Sequence, residues 1–318
     1  MPLKQSKQMT CYTMRTGFGP AHSMADLTRR VTFKGSASRP PVCGETTACR
    51  AGSGFMLQLE GKTALVFGVA SEDSIAWAIC QRLADAGCKL ILGYQKRFMS
   101  RIFQLKDKLD AIEAFYPIDV ASEETTTEFF HEWQKVAPGA KADIIIHAIG
   151  FAPRECFDRH MLFVEEDPLN TAMTISAHSL QRVMRHALPH LAANSSTITL
   201  TYAASTRYVP NYGVMSIAKA ALEAWVRELA MRIGEDGHRI NAISSGPIRT
   251  LAASGIPGFD DILDHVARNA PLRRNVHQND VAGCAAWLAS PLGAGVTGQI
   301  IHVDCGYSIL MVPDSISD

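Results

Sequence analysis

From residue 57 onwards, short apolar runs alternate with longer segments of helical periodicity. The runs are apolar on both faces, which is typical of strands buried inside a sheet. The predicted strands are residues 63–67, 89–93, 111–118, 142–148, 196–201, 239–244 and 299–303. The predicted helices are residues 74–86, 98–109, 122–136, 170–192, 212–234 and 281–289.

This alternation predicts an α/β protein whose parallel sheet is covered by helices on both faces. Because crossovers between parallel strands are right-handed, the seven strands should form a single doubly wound sheet of the Rossmann type. Neither a shift in composition nor an internal repeat divides residues 56–318. We therefore expect one domain over that range.

Residues 1–55 differ from the rest of the chain. They lack apolar periodicity, are rich in Ser, Thr, Gly and Pro, and residues 1–54 hold eight basic side chains against two acidic ones. This composition predicts either a disordered basic tail or a transit-like extension. The tail implies a cytoplasmic protein and the extension an organellar one. The absence of an amphipathic Arg-rich helix favours the tail.

Composition excludes several classes of function. The formal net charge is zero, with 31 basic and 31 acidic residues, so no broad positive field favours nucleic acid. No apolar stretch is long enough to span a membrane. The eight cysteines form no Cys-x-x-Cys pair and no Cys/His cluster, so we expect no metal site and a reducing compartment.

The turn after the first strand fits a nucleotide phosphate. Gly68 ends the strand, and Ser74 opens the helix that follows. A pyrophosphate there would accept hydrogen bonds from free backbone N–H groups at the positive end of the helix dipole. Gly68 permits close approach of the backbone, and Ser74 is an N-cap or a phosphate ligand. Because Gly-x-Gly-x-x-Gly is absent, an ordinary strand-to-helix turn is the alternative.

The ends of later strands continue this pattern. Gln95, after the second strand, matches the free ribose hydroxyl of NAD, whereas Lys96 and Arg97 match the phosphate of NADP or begin a solvated basic helix. Asp119–Val120 follows the third strand, where an adenine ring would lie. Gly150 follows the fourth strand and permits close approach of a cofactor.

Tyr212 and Lys219 are the strongest catalytic candidates. If both lie in the helix predicted from residue 212, their spacing of two turns places them on one face. An ammonium beside a phenol favours the phenolate, so the lysine should make the tyrosine a better acid. A surface pair of helix residues is the alternative. If this face points at a bound nicotinamide, the pair is typical of a reductase.

Four segments carry a resemblance to a known family: residues 69–71, 149–153, 210–212 and 241–255. They resemble the NADH-dependent enoyl-[acyl-carrier-protein] reductases, a divergent branch of the short-chain dehydrogenase/reductases. The similarity covers about residues 56–308. It implies reduction of the C2=C3 bond of trans-2-enoyl thioesters in fatty-acid synthesis, with NADH or NADPH, by a homotetramer.

One spacing separates this branch from ordinary short-chain reductases, which carry Tyr-x-x-x-Lys and a Ser thirteen residues before the Tyr. Counted back from Lys219, those two positions hold Met215 and Tyr202. The phenol stands instead at Tyr212. The chain therefore lacks the acid and the oxyanion donor of a ketone reductase, which favours conjugate reduction.

The resemblance also implies residue roles. Lys219 would bind the nicotinamide ribose, Tyr212 would stabilise an enolate on the thioester oxygen, and Tyr202 would close the pocket or assist. Packing at a strand end is the alternative for Tyr202. Ala152 matches a substrate contact. The matching cofactor contacts are Ser74, Ile75, Gln95, Val120, Ile149, Ile248, Thr250, Leu251 and Ala252.

The sequence departs from the family at the substrate portal. Where these reductases tend to have Lys and Arg facing an acidic carrier protein, this chain has Pro257, Asp260 and Asp261. Two carboxylates would repel an acidic carrier. Docking would then use other bases, such as those in the range 268–274, or the acyl group would ride on coenzyme A. In the third interpretation, these charges lie on a solvated helix face and have no effect on docking.

Two other functions compete with enoyl reduction. The chain could be a short-chain reductase acting on another activated alkene or on a ketone, or a dinucleotide-binding scaffold without catalysis. Retention of Tyr212 and Lys219 argues against the scaffold. Loss of the ordinary tyrosine position argues against the ketone reductase.

Overall fold

The computed structural model describes residues 57–158, 160–251 and 253–311, and seven parallel strands in this part of the chain form one sheet. The strands are β1 Thr63–Phe67, β2 Lys89–Tyr94, β3 Ile112–Pro117, β4 Ala142–His147, β5 Leu191–Thr201, β6 Arg239–Ser245 and β7 Ile300–Val303. Their order in the sheet is β3-β2-β1-β4-β5-β6-β7. The predicted doubly wound sheet is confirmed. The predicted extension over residues 1–55 lies outside the described residues.

Helices cover both faces of the sheet. The α-helices are α1 Ile75–Asp85, α2 Met99–Lys106, α3 Glu123–Val136, α4 Glu155–Asp158, α5 Glu166–Met173, α6 Ser179–Ala187, α7 Val214–Ile233, α8 Phe259–Asn269 and α9 Gln278–Ala289. Short 3-10 turns occupy Lys96–Phe98, Met161–Phe163, Leu188–His190, Ala203–Ser205, Ala253–Gly255, Pro291–Gly293 and Tyr307–Ile309.

Two apolar cores lie on opposite faces of the sheet, because successive side chains of each strand alternate between them. On β1, Val66 belongs to the core beneath α1, α2 and α9, while Leu65 belongs to the core beneath α3, α6 and α7. Both side chains are fully buried. Burial on both faces explains why the strands are almost continuously apolar in sequence.

The long helix predicted over residues 170–192 is interrupted. A π-helix, Thr174–His178, separates α5 from α6, and β5 already begins at Leu191. Within the π-helix, Ser176 Oγ accepts from Phe151 N at 2.9 Å and donates to Phe151 O at 2.7 Å. Such π turns are frequent at functional sites. This one fixes the loop that follows β4.

Gly68 is required where β1 ends. Its φ is +105°, and a Cβ atom there would lie 2.1 Å from Ala148 O, a backbone atom of the neighbouring chain segment. Ala148 N also donates to Phe67 O at 2.9 Å, so the two segments cannot separate freely. The backbone therefore closes around this turn with no room for a side chain.

Gly68→Ala should lower the free energy of unfolding by about 3 kcal/mol or more, since it adds a steric clash to an unfavourable φ. The matched control is Gly139→Ala, which has a φ of +76° but nothing within 4 Å of the added carbon. It should cost about 1–2 kcal/mol. Urea unfolding of the two variants measures the difference. Equal losses would contradict the steric account.

Candidate active site

A cavity of about 1170 Å³ lies at the carboxyl ends of the strands, the usual ligand site of an open α/β sheet. It brings together nearly all of the predicted site residues. Those lining it are Gly68, Ser74, Ile75, Gln95, Val120, Ile149, Ala152, Tyr202, Tyr212, Lys219, Ile248, Thr250 and Leu251. Ala252 lies outside the described residues, and Asp119 does not line the cavity.

The first turn of α1 faces this cavity. Ser74 is the N-cap: its Oγ accepts from Trp77 N at 3.2 Å and donates to Ser71 O at 2.7 Å. Its hydroxyl is therefore already used in capping. Ile75, the first residue of α1, has a backbone N–H without an intrahelical partner, as in any first turn. The turn can thus hold a phosphate through backbone groups.

Asp119 supports a turn instead of lining the site. Its side chain is exposed, and Oδ1 accepts from Ala121 N at 3.0 Å. Its carbonyl accepts from Thr125 Oγ1 at 2.8 Å, which ties it to the start of α3. The next residue, Val120, is buried and faces the cavity, and its carbonyl accepts from Arg182 at 2.5 Å.

Of the two bases after β2, only Arg97 lines the cavity. Its guanidinium lies 4.8 Å from the ring centroid of Phe98 and 5.6 Å from that of Phe151. These cation–π contacts hold the charge over the cavity mouth, between the ends of β2 and β4. Gln95, half-buried, lies beside it. The sequence did not predict that the ring of Phe151 would contact Arg97.

Tyr212 does not lie on the helix, so the prediction of a shared helical face is wrong. α7 begins only at Val214. Asn211 and Gly213 have φ values of +61° and +48°, in the left-handed region, so the chain turns sharply on either side of the tyrosine. Asn211 Nδ2 donates to Pro257 O at 2.9 Å and fixes this turn. Tyr212 nevertheless lines the same cavity as Lys219.

The predicted acidity of Tyr212 is also wrong. Its ring packs against Tyr202, with centroids 5.0 Å apart. Burial, and secondly the neighbouring Tyr202, raises the pKa of Tyr212 far above its ordinary value. Burial, with smaller effects from Tyr307 and Asp304, raises the pKa of Tyr202 to about 12. Both phenols therefore stay neutral at physiological pH, so each hydroxyl keeps a proton that it can donate in a hydrogen bond.

Lys219 is a buried cation at the floor of the cavity. Its side-chain Nζ donates to Leu200 O at 2.8 Å. A Cβ on Gly150 would lie 3.5 Å from Nζ, so the glycine leaves the ammonium accessible from the cavity. Burial lowers the pKa of Lys219 to about 8, and the charge of Glu223 partly opposes that fall.

Comparison with known proteins identifies the family. The family model described as Enoyl-(Acyl carrier protein) reductase matches residues 68–308. The chain belongs to this family. It is 40% identical to the enoyl-[acyl-carrier-protein] reductase [NADH] FabI of Synechocystis sp. over 259 residues, covering 80% of this chain and 99% of that one. It is 41% identical to the Escherichia coli protein of the same name, covering 79% and 95%.

Solved structures of this reductase family have the same fold. The Bacillus cereus enoyl-acyl carrier protein reductase, solved with NADP+ and indole naphthyridinone, matches with a TM-score of 0.77 and 41% identity, covering 80% of this chain and 99% of that one. The Anaplasma phagocytophilum reductase, solved with NAD, matches with a TM-score of 0.77 and 36% identity, covering 81% and 98%. The chain is therefore an oxidoreductase of the enoyl reductase family.

An exposed ion pair lies at the start of α8. Asp260, in the first turn of α8, contacts Arg249 with an Nη1–Oδ1 distance of 2.7 Å. The preceding residue, Phe259, lines the cavity, so the acidic start of α8 stands at its mouth. Of the bases proposed for carrier docking, Arg274 is engaged with Asp280 at 2.6 Å.

The described residues include no cluster of three or more His, Cys, Asp or Glu side chains that could hold a metal ion. The same residues include no helix that is both long and apolar enough to cross a membrane.

A titration of the phenols tests their protonation. Since burial raises the pKa of Tyr212, removing it by Tyr212→Phe should not change the rise in absorbance at 295 nm up to about pH 11. Tyr208→Phe, which removes a phenol that is 90% exposed, is the matched control. If Tyr212→Phe instead loses a phenol that titrates below pH 10, the prediction of an acidic Tyr212 would be right after all.

Proposed function

We propose that this chain reduces the C2=C3 double bond of trans-2-enoyl thioesters with NADH, as a step of fatty-acid synthesis. One observation carries the proposal: two neutral phenols and a buried ammonium line one crevice at the carboxyl ends of the strands. The names of the relatives support the same reaction and cofactor. Acyl carrier protein and coenzyme A are the two candidate thioester carriers.

The cavity fits a dinucleotide. Gly68 and the first turn of α1 would take the pyrophosphate, because both line the cavity and the first backbone N–H groups of a helix have no intrahelical partner. Val120 and Gln95 would contact the adenosine half. Ile149 and Lys219 would contact the nicotinamide half. When bound, the reduced nicotinamide supplies a hydride to C3 of the thioester.

Tyr212 and Tyr202 would act on the substrate oxygen. Hydride addition at C3 moves negative charge onto the thioester oxygen, where neutral O–H donors stabilise it without prior ionisation. A high phenol pKa is compatible with this role, since the group donates a hydrogen bond and keeps its proton. Lys219 would hold the ribose hydroxyls and keep a positive charge near the developing enolate. A proton then reaches C2.

The structure disfavours ketone reduction on the ordinary plan. The position of the ordinary tyrosine holds Met215, which is buried and whose sulfur lies 3.5 Å from Ser176 Oγ. A thioether cannot protonate an alkoxide. The direct experiment is NADH oxidation at 340 nm with crotonyl thioesters and with simple ketones. Crotonyl thioesters should react; turnover of ketones alone would contradict the proposal.

NADPH is a second candidate cofactor because Arg97 lines the cavity mouth beside Gln95. The guanidinium suits a phosphate on the adenosine ribose, whereas the amide suits a free hydroxyl. We also infer a homotetramer working in the cytoplasm, or in an organelle if residues 1–55 direct it there. Ile217 and Met231, both exposed on α7, support assembly through that helix. Light scattering after gel filtration tests the assembly.

Tyr212→Phe should lower kcat by about a hundredfold, because it removes one donor to the enolate oxygen. Binding of NADH, followed by its fluorescence, should change by less than about twofold since the ring remains. Tyr208→Phe is the control and should retain full activity. Unchanged kcat in Tyr212→Phe would remove the tyrosine from the reaction.

Asp260→Lys with Asp261→Lys should raise kcat/KM for an acidic acyl carrier protein several-fold at low salt, since repulsion at the portal becomes attraction. The gain should disappear at high salt. Asp261→Lys alone keeps the Arg249 ion pair and should give part of the gain. Asp107→Lys with Asp110→Lys changes the net charge equally, away from the cavity, and should have little effect. No gain at the portal would place docking elsewhere.

A further inference from the structure

Two side-chain contacts join α7 to the end of β5. Lys219 Nζ donates to Leu200 O at 2.8 Å, and Thr201 Oγ1 donates to Glu223 Oε1 at 2.7 Å. Leu200 and Thr201 are successive residues of the strand, and the next residue is Tyr202. Lys219 and Glu223 are four residues apart, so they stand one turn apart on the same face of α7.

Glu223 is a buried acid with no role in the proposed reaction. Its side chain is only 5% exposed, and that of Lys219 is 7% exposed. A buried carboxylate is costly unless hydrogen bonds or an opposite charge compensate for lost hydration. The hydroxyl of Thr201 supplies a hydrogen bond. The ammonium of Lys219, one turn earlier, supplies the opposite charge. The charge of Glu223 in turn raises the pKa of Lys219.

We propose that Glu223 is a positioning residue for Lys219. Its carboxylate keeps the lysine charged and seated on the carbonyl of Leu200, while its bond to Thr201 fixes the strand end that presents Tyr202. The inference rests on the proposed function, which gives Lys219 its role at the ribose. It adds a group that touches neither cofactor nor substrate.

His147, on β4, is the other titratable group near Lys219. It is fully buried, and its ring nitrogens lie 2.9 Å from Thr199 Oγ1 and 2.9 Å from Ser179 Oγ. Burial and the charge of Lys219 lower the pKa of His147 to about 3, so the ring is neutral. It adds no charge that could replace Glu223.

The other titratable groups described around the cavity also do not replace Glu223 as the charge that keeps Lys219 protonated. The phenols facing Lys219 are neutral, as described above. Asp304 is buried but bonds the backbone N–H groups of Gly306 and Ser308, and its charge acts on Tyr202. Arg97, Arg154 and Asp158 line the cavity too, and their ionic groups face solvent or one another, where water screens them.

The sign of the effect follows from burial. With Glu223 in place, the pKa of Lys219 is already lowered to about 8. Removing the carboxylate charge leaves burial unopposed, so the ammonium loses its proton at a lower pH. The neutral amine binds ribose hydroxyls less tightly than the ammonium, because charge-assisted hydrogen bonds are the stronger ones. Cofactor binding should then weaken at a lower pH.

The test is Glu223→Gln, whose amide oxygen can still accept from Thr201. NADH dissociation constants are measured by fluorescence from pH 6 to 10, without thioester, and thermal unfolding is followed in parallel. The wild-type chain should lose affinity with a midpoint near pH 8. The midpoint of the variant should lie about one pH unit or more lower. Glu228→Gln, an exposed position on the same helix, is the matched control and should keep the wild-type midpoint.

A variant with the wild-type midpoint and only a lower Tm would overturn the inference, since Glu223 would then act on stability alone. If Glu223→Gln does not fold, Glu223→Asp should shift the midpoint less and in the same direction, because the charge recedes by one methylene. An unchanged midpoint there would also overturn it. A wild-type chain that does not bind NADH at any pH would instead refute the proposed function.

Discussion

The desolvated ammonium of Lys219 is the constraint on which the site depends. A fall of its pKa from 10.5 to about 8 corresponds to roughly 3 kcal/mol against the charged form, so the charge persists only where the fold supports it. That support comes from the carbonyl of Leu200 and the field of Glu223. The absence of a side chain at Gly150 leaves the ammonium accessible from the cavity.

Burial acts in opposite directions on the acids and bases of this cavity. It lowers the pKa of Lys219 and raises those of Tyr202 and Tyr212, so all three move toward the neutral form. In the proposed reaction, the tyrosines would stabilise charge by donating hydrogen bonds, and preplaced donors of this kind are effective where charge develops. This electrostatic arrangement suits an enolate better than it suits transfer of a proton from an acidic phenol.

The sequence predicted the sheet well because buried parallel strands are apolar on both faces, and β1, β2 and β4 have this pattern. It mispredicted Tyr212, since the positive φ of Asn211 has no reliable signal and helical periodicity extends across the turn. It also did not anticipate the π-helix Thr174–His178, in which Ser176 bonds the backbone of Phe151 from another segment. The predicted acidity failed because burial, a property of the fold, raises the pKa of Tyr212, and the neighbouring Tyr202 raises it further.

The most direct test follows a deuterium label from NADH into the product. Crotonyl thioester is reduced with NADH carrying deuterium at C4, and the product is analysed by NMR. The account predicts a saturated thioester with deuterium at C3 and a solvent proton at C2. An unsaturated alcohol or aldehyde, or deuterium found only at C2, would contradict it.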